Sequence, residues 1–135
     1  MALKAGLHRH WPAIAWGALI LLPTGLPGQY IPQIEGFPDL LAPDNLAHLF
    51  LFAGFVILLF IGFAREPGWS NRKSAILAIT IAVGLGGLTE FLQGWVFINR
   101  NCSLWDFCID LLGAAVGMLL YRIGKGFFLR VARDH

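Results

Sequence analysis

From Asn45 to Ala64 the chain reads "NLAHLFLFAGFVILLFIGFA", apolar at every position except Asn45 and His48. A run of that length leaves few folds open. A bilayer core takes about 20 apolar residues per helix, with a range of roughly 17–25. Only helices and closed barrels satisfy their backbone groups in lipid. Three further stretches follow suit: Trp11 to Leu26, Ser74 to Ile98 and Leu104 to Gly124. The first is short, and Pro23 is placed to end or kink it. Charged residues make up 13% of the chain, against about 25% in soluble domains. The expected fold is therefore all-α: a polytopic membrane protein with four transmembrane helices in an up-down bundle. A single domain would cover residues 1–135, with helices at about 11–26, 45–64, 74–98 and 104–124 and an outer loop at 27–44. No A-x-A-like site follows the first segment, so a retained helix is expected rather than a cleaved signal peptide.

Basic residues set the orientation. Lys4, Arg9, Arg65, Arg72, Lys73, Arg122, Lys125, Arg130 and Arg133 would lie on one side and Arg100 alone on the other. Under the positive-inside rule both termini are then cytoplasmic. The net charge of +2 is small and dispersed, and no basic stripe with interleaved aromatics suggests nucleic acid. Membrane lipids are the expected surroundings. Cys102 and Cys108 match neither a CxxC motif nor a zinc spacing. A disulfide between them is conceivable in an oxidising compartment, but small residues in a link and a helix start account for them more simply.

The acids are segregated. Glu35, Asp39, Asp44, Glu90, Asp106 and Asp110 belong to the outer half, and only Glu66 and Asp134 to the inner side. Asp44 and His48 are four residues apart, as are Asp106 and Asp110; Glu90 and Gln93 are three apart. Each pair therefore shares a helix face. At 1.5 Å per residue the three pairs lie within about 10–15 Å of the outer surface. Charges inside spans are costly and usually face the bundle interior, so one outward-opening polar pocket is expected. Arg100 is the cation available to pair with an acid there or to hold an anionic ligand group. Gly113 and Gly117 continue the Asp106–Asp110 stripe as a GxxxG pattern, which permits close helix contact. Packing the third helix on the fourth would bring Glu90 near Asp110, two carboxylates that would favour sharing a proton.

Taken in order, these residues resemble the VanZ-like family of small bacterial membrane proteins. The resemblance rests on Asp44 and His48 in "DNLAHLFLF", Glu90 and Gln93 in "TEFLQ", Arg100 in "NRN", Asp106 in "LWDF", and Gly113 with Gly117. It spans roughly residues 44–117. Asn45 stands where the family often has Lys, and Asp110 where it usually has Asn, so this site is the more acidic. The family takes its name from a member associated with low-level resistance to the glycopeptide teicoplanin. The resemblance implies a bacterial inner membrane location and a role at the cell envelope.

Several functions fit these residues. His48, Glu90 and Asp106 are the catalytic candidates, with His48 a general base oriented by Asp44. Asp44, His48, Glu90, Gln93, Arg100, Asp106 and Asp110 are the candidate ligand-binding set. The ligand would be a lipid-linked envelope component or a glycopeptide. No Ser or Cys nucleophile has a matched base. A metal set of His48, Glu90, Asp106 and Asp110 lacks a spacing signature, and no cofactor is assigned. Alternatively the pocket binds without turnover, or the chain is a non-catalytic accessory subunit of a larger membrane complex whose polar cluster only locks the bundle. Asp44 and Asp106 are also natural helix-start acids, with Ser103 a competing cap for the last helix.

Overall fold

A computed structural model of the chain describes residues 2–24, 42–96 and 103–131. They form four helices: α1 (Ala2–Thr24), α2 (Pro43–Ala64), α3 (Asn71–Trp95) and α4 (Leu104–Val131). Most of the 27–44 loop, Arg100 and Cys102 lie outside the described residues. The fold is all-α, as the apolar runs require. α2, α3 and α4 are long and apolar enough to cross a membrane. α1 is a helix of 23 residues, but Lys4, His8, Arg9 and His10 occupy its first turns, which leaves an apolar part as short as the sequence suggests. It begins well before Trp11 and ends just after Pro23. α4 runs past Gly124 to Val131.

Local signals explain the boundaries. Pro43 opens α2 at its first position, where no amide hydrogen bond is lost. The Arg65 N–H closes α2 on the Gly62 carbonyl, and the Glu66 N–H on the Phe63 carbonyl. Gly68 then turns the chain with φ 74°, a left-handed conformation glycine adopts without a Cβ penalty. Ser70 starts α3, its Oγ accepting from the Lys73 N–H at 3.2 Å. Ser103 starts α4 in the same way, its Oγ accepting from the Asp106 N–H at 3.2 Å.

α2 is the hub. It packs on each of the other three helices, whereas α1 and α4 do not touch among the described residues. Phe52, Val56 and Phe60 of α2 are almost fully buried, with Ile20 of α1, Ala82 of α3 and Ala114 of α4 around them. Large apolar side chains on the outside, such as Phe50, Ile76 and Leu119, are exposed and suit contact with lipid. Between helices in lipid the driving force is close packing rather than the expulsion of water. The α2–α4 contact shows how it is reached. A Cβ on Gly113 would lie 2.6 Å from the Leu49 carbonyl oxygen, and one on Gly117 would collide with the Ala53 carbonyl. The GxxxG stripe therefore faces α2 rather than α3.

That contact redirects Asp110. Lying on the same stripe as Gly113 and Gly117, it is turned toward α2, where its carboxylate bonds His48. The expected pairing of Glu90 with Asp110 is thus replaced by a pairing of Asp110 with His48. At the opposite end of the bundle Glu66 ties α1 to the α2–α3 turn. It accepts from Arg9 at 3.0 Å and lies 3.2 Å from His10 Nε2. Trp69 stacks on Phe63 nearby, and Lys73 sits over the Trp69 ring.

Candidate functional site

Helix direction assembles the polar end. α2 and α4 both start there and α3 finishes there, so the first turns of two helices meet the last turns of the third. Asp44 and His48 come from α2, Glu90 and Gln93 from α3, and Asp106 and Asp110 from α4. Arg100 lies outside the described residues, so the structure places six of the seven candidate residues.

His48 is at the centre and is 5% exposed. Its Nδ1 lies 2.8 Å from Oδ1 of Asp110, which is itself 1% exposed. A neutral imidazole holds its proton on one nitrogen, and a carboxylate at Nδ1 selects that nitrogen. The lone pair is then on Nε2. Asp44 Oδ1 is 4.0 Å from Nε2, too far for a hydrogen bond. Asp106 completes the group: one donor atom each from Asp44, His48 and Asp106 all lie within 4.8 Å of one another. Asp44 and Asp106 are half-buried and form the more open side of the cluster, while His48 and Asp110 form its floor.

The α3 residues close it from the other flank. Glu90 Oε2 accepts from the Ser103 N–H at 2.7 Å, which ties the end of α3 to the start of α4. Its other oxygen is buried and makes no hydrogen bond. Glu90 also lies within electrostatic reach of Asp106, Asp110 and His48. Gln93 is completely buried, and neither its amide nitrogen nor its amide oxygen has a partner. Asp110 Oδ2 is in the same condition. It fits because α3 has a glycine opposite: a Cβ on Gly86 would sit 3.2 Å from it.

Two ambiguities in the sequence resolve here. Asp44 is not the cap of α2; that position is Ala42, and Asp44 lies in the first turn. Asp106 is not the cap of α4 either, because Ser103 does that work. Neither residue is therefore the cap of its helix. The sequence did not mark the Ser103 amide as a partner for Glu90, since a backbone N–H carries no residue signature. Gly84, Gly86 and Gly87 before Glu90 suggest close packing in the sequence, but only the structure shows that Gly86 is the one across from Asp110. Glu66 was read only as an inner-side acid. Its position in a basic turn was the one signal that it would join Arg9 and His10.

Compared with known proteins, residues 11–128 match the family model described as VanZ/LLP1. Neither a curated protein nor a solved structure matches the chain. The match covers all three spans and every candidate residue, and it reaches beyond the residues 44–117 that carry the motif resemblance.

Proposed function

The chain belongs to the VanZ/LLP1 family, and from that premise we propose that its polar cluster is a binding site for an anionic, lipid-linked component of the cell envelope. The cluster would open on the outer face of the bacterial inner membrane, with both termini cytoplasmic. One observation carries the proposal. Gln93 is fully buried with both polar atoms unpartnered, and Glu90 and Asp110 each keep one buried, unpartnered oxygen. Each such group costs about 1–3 kcal/mol. Polar atoms kept at that cost in a bundle end are accounted for by a ligand or by water held for one. A role in glycopeptide resistance follows if that ligand is a cell-wall precursor or the antibiotic itself.

A second reading has its own observation. The His48–Asp110 bond joins α2 to α4, which is what a structural lock in an accessory subunit would do. A lock, however, needs only that pair and gives no reason for Gln93.

Gln93→Leu separates the two. The substitution removes a buried, unpaired amide at similar volume, so thermal stability in detergent is expected to stay level or rise by about 1 kcal/mol. Binding of a short-chain polyprenyl phosphate, and any teicoplanin protection conferred on a susceptible host, should fall. Retained binding and protection with raised stability would remove the ligand reading and leave the lock.

A further inference from the structure

The proposed ligand is anionic, yet the site is acidic. Asp44, Glu90, Asp106 and Asp110 surround a single imidazole, and no Lys or Arg lies at this end among the described residues. Four carboxylates with at most one protonated histidine leave a strong negative excess in a low-dielectric region. A cation between these carboxylates and an anionic headgroup would offset that excess.

The geometry points to a divalent cation held by Asp44, Nε2 of His48 and Asp106. Three features converge on it. The donor atoms of these residues lie within 4.8 Å of one another. Donors sharing one ion at about 2.0–2.2 Å each can lie up to about 4 Å apart, so small side-chain movements complete the set. The 4.0 Å between His48 Nε2 and Asp44 Oδ1 is long for a hydrogen bond but suits two ligands of one ion. Asp110, buried behind the ring, bonds Nδ1 at 2.8 Å. This is the carboxylate–histidine arrangement that fixes the tautomer and aims the Nε2 lone pair at a metal. Finally, Glu90 is 5% exposed, has an oxygen without a partner, and lies within electrostatic reach of Asp106 and His48.

One imidazole with two carboxylates suits Mn2+ or Zn2+. Three protein ligands leave coordination positions for water or for a phosphate oxygen. The cation site stands on the residues themselves; its task of bridging to an anionic headgroup rests on the function proposed above. This set differs from the one considered on sequence grounds. Asp44 enters, and Glu90 and Asp110 become supporting groups.

The test begins with detergent-purified full-length protein stripped by EDTA. Mn2+ is titrated in and followed by loss of the free-ion paramagnetic resonance signal, with Zn2+ as competitor. One saturable Mn2+ per chain, displaced by Zn2+, is expected. Asp44→Asn and Asp106→Asn, on the half-buried side, should each weaken binding by about tenfold or more while keeping the wild-type elution volume and helix content. Asp110→Asn should weaken it by about 10–100-fold through the ring orientation. Glu66→Gln, at the far end, should leave it unchanged. No saturable binding by the wild type, or equal binding by the folded Asp44→Asn and Asp106→Asn variants, overturns the site. Binding of a short-chain polyprenyl phosphate is then measured with Mn2+ and with EDTA. Metal-dependent binding supports both the site and its task. Metal bound with no effect on the lipid keeps the site and removes the anionic-ligand function.

Discussion

The two nitrogens of His48 have different surroundings, and that asymmetry organises the site. Nδ1 is held by a buried carboxylate, while Nε2 looks toward Asp44, and Asp106 lies beside the pair. Removing either member of the His48–Asp110 pair strands the other, which costs about 1–3 kcal/mol for a buried polar group. His48→Leu and Asp110→Leu should each destabilise the bundle by that order. The double substitution should cost less than the sum, because an apolar pair of similar shape leaves no stranded group. Reversible unfolding in mixed detergent measures the cycle. Strict additivity would mean that the bond contributes nothing to the fold. The candidate residues themselves could be chosen from the sequence, since carboxylates and a histidine inside apolar runs stand out. Their partners could not: Asp110 does stay within electrostatic reach of Glu90, but its hydrogen bond goes to His48, on the helix that the Gly113–Gly117 contact brings close.

At the scale of elements, glycines divide into two kinds that look alike in the sequence. Gly113 and Gly117 meet the α2 backbone, and a methyl group at either would push into Leu49 or Ala53. Gly84 and Gly87 have nothing within 4 Å of the place a Cβ would take. Gly117→Ala should therefore lower stability by about 1–3 kcal/mol through overpacking, and it should also disturb the site by shifting Asp110. Gly87→Ala should be neutral or stabilising by up to about 1 kcal/mol, because it improves helix propensity. Thermal scans of the two variants side by side check the contrast; equal losses would rule out the close α2–α4 contact. Ser103→Ala tests the junction of α3 and α4. Loss of its hydroxyl should cost about 1 kcal/mol of cap stability, but the amide that holds Glu90 is retained.

For the whole molecule, the polar cluster and the Glu66 cluster occupy opposite ends of the bundle. The proposed topology places the first outside and the second in the cytoplasm. Cysteine labelling in intact cells decides it. With Cys102 and Cys108 replaced by Ser, Gly94→Cys should react with an impermeant maleimide from outside, and Pro67→Cys only after the membrane is opened. The reverse pattern would move the site to the cytoplasmic face. The Arg9 and His10 contacts to Glu66 hold α1 onto the α2–α3 turn. At partial exposure each is worth little, about 0–1 kcal/mol, so Glu66→Gln should change stability only slightly.

The sequence by itself determined the class of fold, because runs of apolar residues as long as these can only be satisfied as helices in lipid. It also determined which polar residues share a helix face, since that follows from the 3.6-residue repeat alone. How the faces meet was a tertiary decision. Rotation about a helix axis is set by which surfaces pack closest, and here Gly113 and Gly117 against Leu49 and Ala53 fixed the rotation of α4. That rotation put Asp110 on His48, left Asp44 and Asp106 together on the open side, and left Gln93 buried without a partner. Spacing along one helix carries no information about the angle at which another helix faces it.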